Sequence, residues 1–206
     1  MSDKNSKLLK RWELAALLAL CLTLCVCTWA QGRQNAISSS LVRLHVVAAS
    51  DEDEEQALKL RVRDAVLNYL GSELSGAESS GEARSLIAAD LEGIKSAAGA
   101  AAEGRELTVT LGRESYPTKS YEGFTLPAGE YESLRVVIGP GLGHNWWCIV
   151  FPPVCLSAVQ GESLEAVMSA EDYAVISGAE GYELRFKLLE LWGELSEKLK
   201  KSAEDD

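Results

Sequence analysis

Four side chains outside the apolar N-terminus have the most reactive chemistry in this sequence: His45, His144, Cys148 and Cys155. His144 lies four residues before Cys148, and an imidazole can activate a thiol as a nucleophile, so a cysteine hydrolase is one hypothesis. Cys155 is a rival partner for the same thiol. His45 falls on the polar side of a predicted strand, where a structural role is commoner than a catalytic one. The spacing of these residues also differs from that of zinc ligands.

Cys148 and Cys155 are separated by six residues and can instead bond to each other. A disulfide that closes this small loop is expected if the chain folds in the oxidising space outside the cytoplasm. The alternative is a pair of buried, reduced thiols. The other three cysteines, Cys21, Cys25 and Cys27, lie in the apolar segment.

Two further segments resemble ligand sites only in composition. Residues 139–143 (GPGLG) lack the Gly-Lys-Ser/Thr ending of a phosphate-binding loop, so a turn between strands explains the glycines better. Residues 51–55 are acidic but lack the glycine and the final ligand of a calcium loop, and we expect them to begin a helix. The sequence therefore predicts no catalytic residues, no metal or other cofactor and no small-molecule substrate.

The charge balance and the tryptophan pair point to other kinds of partner. With 31 Asp and Glu against 20 Lys and Arg, the net charge is −11, which argues against nucleic acid. Trp146 and Trp147 lie beside the glycine-rich segment, and a strand would direct their rings to opposite faces. At least one ring is therefore available as a protein contact or a membrane-surface anchor if only one face of the sheet is covered; the alternative is that both are core.

Residues 1–30 are predicted to be a signal peptide or an uncleaved signal anchor. The uncharged stretch 14–30 follows Lys4, Lys7, Lys10 and Arg11, so the basic end should stay in the cytoplasm and the remainder should be exported. Its seventeen residues span about 26 Å as a helix, the short end of what crosses a bilayer. A buried core helix is the third possibility. Contact with the membrane is expected through this segment, if it is not cleaved.

The remaining pattern predicts an α+β fold with a mixed sheet of about four strands. Two sequential helices should cover one face, and the last two strands should pair as a hairpin, with the wholly apolar strand 146–151 in a central position. A C-terminal amphipathic helix should cover the sheet or bind another protein. The predicted segments are a linker at 31–40, an α+β domain at 41–156 (strands 41–47, 106–111, 131–138 and 146–151; helices 52–70 and 82–102), a connection at 116–129, a variable loop at 157–181, and a helix with an acidic tail at 182–206.

Four segments together resemble the stage II sporulation protein R family: 43–51 (RLHVVAASD), 56–67 (QALKLRVRDAVL), 126–139 (LPAGEYESLRVVIG) and 145–155 (NWWCIVFPPVC). The Asn-Trp-Trp-Cys to Pro-Pro-x-Cys block is the most specific of them. Ala49 departs from relatives, which often have Asn before the Ser-Asp pair.

This resemblance implies a signalling protein that is made in the forespore and exported into the space between the forespore and mother-cell membranes. There the family triggers a membrane-embedded aspartic protease that processes a mother-cell pro-sigma factor, pro-sigma-E. The chain would be the activator and not an enzyme. Two alternatives are an exported hydrolase of cell wall or peptide and a wall-binding structural module. If it is the activator, the residues expected to contact the protease are Trp146, Trp147, His144 and Asn145, followed by Asp51 and Arg63.

Overall fold

A computed structural model describes residues 2–121, 123–153, 164 and 167–178. The chain divides into two compact units, Met1–Ala36 and Ile37–Asp206. The element bounds are α1 Ser2–Ser39, β1 Val42–Val47, α2 Asp53–Glu73, α3 Ser80–Ala89, α4 Leu91–Ala101, β2 Leu107–Tyr116, β3 Lys119–Tyr121, β4 Phe124–Leu126, β5 Gly129–Ile138, β6 Asn145–Phe151 and α5 Ala170–Ile176.

Helix α1 contains the apolar N-terminal segment. Its part Lys10–Ser39 is long and apolar enough to cross a membrane, a test that a signal sequence also passes. The helix continues through residues 31–39, where a linker was predicted. Most side chains there are compatible with a helix, and the Gln31 amide donates to Asn35 Oδ1 across one turn, at 3.1 Å.

The α+β class and the four-stranded mixed sheet are confirmed. The strand order is β2-β5-β1-β6, in which β1 runs parallel to β5 and the other two pairings are antiparallel. The predicted hairpin of β5 and β6 is wrong, because β1 lies between them. β6 is consequently an edge strand, and its apolar side chains are buried by layers on both faces of the sheet rather than by a second neighbouring strand.

Three helices, instead of the two predicted, contribute to the core on one face of the sheet. The expected helix over 82–102 is interrupted at Asp90, whose carboxylate accepts from the Gly93 amide at 3.1 Å and caps α4. The Tyr69 hydroxyl also donates to this carboxylate. Helix α2 continues past Gly71 to Glu73, beyond its predicted end. The core on this face includes Val42, Leu44, Val46, Leu58, Val62, Val66, Ile87, Ile94, Leu134, Val136 and Val150.

The opposite face, called here the second face, carries a smaller core. It contains the β3–β4 hairpin, which lies within the connection predicted for 116–129, and α5, which lies within the predicted variable loop. Ser169 caps α5 by accepting from the Asp172 amide at 3.1 Å. The predicted C-terminal helix at 182–206 lies outside the described residues.

Arg43 is fully buried on the second face, although the alternation of β1 assigns it to the polar side. Its guanidinium lies 3.8 Å from the ring centre of Tyr116 and 4.9 Å from that of Tyr131, and Nη2 donates to the Tyr121 hydroxyl at 2.8 Å. Nε and Nη1 have no hydrogen-bond partner among the described residues. Aromatic faces therefore stabilise this buried charge.

Candidate partner-binding surface

The contact loop, residues 139–145, connects β5 to β6 and lies along the chain that follows β1. The Leu142 and Gly143 amides donate to the carbonyls of Ala49 and Ala48, at 3.2 and 3.0 Å. A Cβ atom at Gly143 would lie 2.2 Å from the Ser50 carbonyl oxygen, so only glycine permits this approach. The loop presents Leu142, which is 79% exposed.

Asp51 fixes His144 at the end of this loop. Its Oδ1 accepts from the His144 backbone amide at 2.6 Å and lies 2.5 Å from the imidazole Nδ1. The His144 side chain nevertheless remains 76% exposed. The structure thus brings together two of the residues predicted for partner contact, although they are far apart in the sequence.

Lys59 of helix α2 contacts the same residue and is itself held by Gln56. The Lys59 ammonium donates to the His144 carbonyl at 3.0 Å and to Gln56 Oε1 at 2.6 Å, while the Gln56 amide donates to the Ser50 carbonyl at 2.8 Å. Lys59 is only 5% exposed, although the sequence pattern assigned it to a polar side of α2. Burial lowers its pKa, with nearby Asp51 acting in the opposite direction and Arg63 in the same one.

Arg63 lies one helical turn beyond Lys59 and supports Trp146. Its guanidinium carbon is 4.4 Å from the centre of the indole ring, and Nη2 pairs with Asp64 at 2.7 Å. Trp146 is 37% exposed. This stacked, partly desolvated arrangement keeps the ring in one position at the surface. We call Leu142, His144, Trp146, Asp51 and Arg63 the contact surface.

Asn145 and Trp147 point to the second face instead. His45 Nε2 lies 2.9 Å from Asn145 Oδ1, and His45 Nδ1 lies 2.8 Å from Glu114 Oε1. The Trp147 ring is half-buried and packs against His45 and Tyr116, with centroid separations of 5.8 and 6.3 Å. The six residues predicted for partner contact are therefore divided between two faces of the sheet.

The three residues considered for hydrolysis are not assembled into one site. Cys148 is buried in the helix-covered core, and a cysteine in such surroundings is commonly structural. His45 lies on the second face, and His144 is paired with Asp51 at the surface. Cys155 lies outside the described residues, so its pairing with Cys148 stays a prediction. Among the described residues, no cluster of three His, Cys, Asp or Glu is arranged to hold a metal ion.

Sequence analysis did not identify Lys59, Gln56 or Leu142. Lys59 interrupts the pattern of α2 directly beside Leu58, and a lysine next to an apolar stripe is a weak signal that it is buried and paired. Leu142 is an apolar residue within a glycine-rich turn, where a leucine has no core position to fill. The pairing of α2 with the contact loop depends on contacts between residues 85 positions apart.

The family model of stage II sporulation protein R matches residues 38–161 of the chain. The chain belongs to the stage II sporulation protein R family. It is 37% identical over 140 residues to Stage II sporulation protein R of Bacillus subtilis (strain 168), an alignment that covers 66% of this chain and 62% of that protein. No solved structure matches the chain.

The family match covers the whole contact surface and the four-stranded sheet. Membership in the stage II sporulation protein R family confirms the resemblance found in the sequence and indicates a role in sporulation. Since the chain spans about three fifths of its Bacillus relative, the activity and partners of the whole protein are treated below as a proposal.

Proposed function

We propose that this chain is an exported signalling protein of sporulation that activates a membrane-embedded aspartic protease, which then processes the mother-cell factor pro-sigma-E. The observation that carries the proposal is the family match over residues 38–161. The protein acts from the space between the forespore and mother-cell membranes, which it reaches through its apolar N-terminal segment. It is an activator and does not itself cleave the precursor.

The contact surface supports this role because its exposed groups are already held in place. Exposed Leu142 and partly exposed Trp146 offer apolar area, whereas Asp51 and Arg63 constrain the groups beside them. An activator shifts its target only by binding the active state more tightly than the inactive one. A preference of about 3 kcal/mol would raise the population of the active protease roughly a hundredfold at most.

The proposal includes a disulfide between Cys148 and Cys155. Cys148 is buried in the core, and the three cysteines of the apolar segment are free. A disulfide fits export, because cytoplasmic reductants would oppose it. It would restrain the chain that leaves β6, directly after the tryptophan pair.

Binding of the full-length chain to the detergent-solubilised protease tests the proposal. We expect Leu142→Asp and Trp146→Ala to weaken binding at least tenfold while the chain stays folded, because both residues are exposed. Leu86→Asp is the matched control. Leu86 is 40% exposed on α3, whose Arg84 pairs with Glu132 far from the end of β5 that leads into the contact loop.

Equal binding by the unaltered chain, Leu142→Asp and Trp146→Ala would exclude the contact surface. No binding by the unaltered, folded chain would contradict the proposed function itself.

A further inference from the structure

Three hydrogen-bonded side chains, one just before helix α2 and two in its first turns, restrain the backbone of His144. Of the three, only Asp51 was predicted for partner contact. Asp51 accepts from the His144 amide, and Lys59 donates to the carbonyl of the same residue. Gln56 connects the two by accepting from Lys59 and donating to the Ser50 carbonyl, next to Asp51. His144 is therefore held through both its backbone N–H and its backbone carbonyl. We call Asp51, Gln56 and Lys59 the clamp.

Burial of the Lys59 ammonium costs free energy, because the charged group loses its hydration. A lysine that is 5% exposed loses most of its hydration, and burial lowers its pKa accordingly. An apolar side chain of similar size would satisfy the packing of α2 without this penalty. What such a side chain lacks is a donor for the His144 carbonyl and for Gln56. The ammonium is thus suited to ordering the loop.

The loop has few other restraints of its own. It contains Gly139 and Gly141 with positive φ values of 55° and 65°, and Gly143, whose contact with Ser50 excludes a Cβ atom. Glycines lose the most conformational freedom on ordering, so a loop that contains three of them needs external restraints to adopt one conformation. Three backbone hydrogen bonds supply part of them, from Gly139 to Glu106, from Leu142 to Ala49 and from Gly143 to Ala48, and the clamp adds the restraint on His144.

We infer that Lys59 is a positioning residue: through the clamp it holds the contact loop in the single conformation that the protease recognises. The inference rests on the proposed function and extends it to a buried residue that touches no partner. A loop that is ordered before binding does not pay the entropy of ordering during binding. Its apparent affinity is the intrinsic affinity multiplied by the fraction of molecules in which the loop is closed.

The test compares full-length Lys59→Met with the unaltered chain by three measurements: urea unfolding, amide hydrogen exchange over residues 139–145, and binding to the solubilised protease. Lys95→Met is the matched control, because Lys95 is exposed on α4. We expect Lys59→Met to increase loop exchange and to weaken binding by the same factor, about tenfold, with the unfolding midpoint unchanged. Lys95→Met should change none of the three.

A second pair of variants separates the clamp from general packing. In Asp51→Asn the side-chain amide oxygen can still accept from the His144 backbone N–H, whereas Asp51→Ala has no side-chain acceptor. We expect Asp51→Ala to lose about tenfold of both loop protection and binding, and Asp51→Asn to lose less of each than Asp51→Ala does. Because this pair does not alter a buried position, it remains informative even if Lys59→Met folds poorly.

Several results would overturn the inference. One is unchanged loop exchange in both Lys59→Met and Asp51→Ala; another is a loosened loop with unchanged binding. A third is a loss of binding that follows the global free energy of unfolding and not the local exchange, which would indicate a purely structural role. If the unaltered chain does not bind the protease, the proposed function fails first, and this result is distinct from normal binding by Lys59→Met.

Discussion

Adjacent side chains of strand β6 have different surroundings because alternate residues face opposite sides of the sheet. Trp146 stacks on Arg63 and remains 37% exposed, while Trp147 is half-buried against His45 and Tyr116. The sequence pattern correctly predicts that the two rings separate. It does not say which face is better covered, because the elements that cover the second face follow weak or irregular patterns. These contacts favour Trp146 as the partner contact and a structural role for Trp147.

The two tryptophans should respond differently to truncation. We expect Trp147→Ala to lower the free energy of unfolding by about 3 kcal/mol, because the ring packs against other side chains of the second face. Trp146→Ala should cost less than about 1 kcal/mol, the scale of one exposed cation–π contact. Urea unfolding of the two full-length variants measures both values. Equal costs would contradict the assignment of the rings to a covered and an open position.

At the scale of whole elements, periodicity predicted β1, most of α2 and the class of the sheet. Those segments have strong alternation or apolar residues at three- and four-residue intervals. The break at Asp90 was missed because apolar residues at 87, 91 and 94 continue the helical pattern across it. The available signal was an Asp three residues before Gly93, which is the spacing of an N-cap. The strand order could not be predicted, because the periodicity of a segment does not indicate which other strands pair with it.

Tyr69 links α2 to the junction of α3 and α4, and this link should depend on pH. Its hydrogen bond to Asp90 raises the pKa of Tyr69 to about 12, because the phenolate would lie beside a carboxylate. A raised pKa stabilises the fold below the ordinary value of 10.0, and the contribution is lost as pH rises through about 12. Tyr69→Phe should therefore be less stable than the unaltered chain near neutral pH.

This difference should shrink steadily above pH 10, and urea unfolding over an alkaline pH series measures it. The other tyrosines are present in both proteins, so their contributions to the pH dependence of stability cancel in the comparison. A difference that stays constant up to about pH 12 would show that the hydrogen bond does not contribute to stability.

Two glycines test the packing of the contact loop against an ordinary helix. In Gly143→Ala the new Cβ would lie 2.2 Å from the Ser50 carbonyl oxygen, so the loop must move. We expect a cost of about 1–3 kcal/mol in unfolding free energy and weaker protease binding. Gly99→Ala in α4 meets no atom within 4 Å and should stabilise the chain by up to about 1 kcal/mol. Unfolding and binding measurements on both variants test this difference. Equal effects of Gly143→Ala and Gly99→Ala would contradict the close packing of the loop.

The whole molecule combines an apolar N-terminal segment, an acidic remainder and an α+β fold, in which the contact loop packs along the chain that follows β1. The net charge of −11 and the family match over residues 38–161 are consistent with a protein that acts by contact in sporulation. The family could be recognised from the sequence because its Asn-Trp-Trp-Cys block is specific. The contact surface could be predicted only in part, since the clamp depends on a buried lysine and on tertiary contacts.

We propose that the exported chain activates the protease by contact, without cleaving the precursor itself. A direct test is processing of pro-sigma-E in a cell that lacks both the protease and the precursor, into which the full-length chain, the protease and the precursor are introduced together. We predict processing only when all three are present, and its loss when residues 2–30 are deleted so that the chain stays in the cytoplasm. Processing without the protease, or undiminished processing by the cytoplasmic form, would contradict this account.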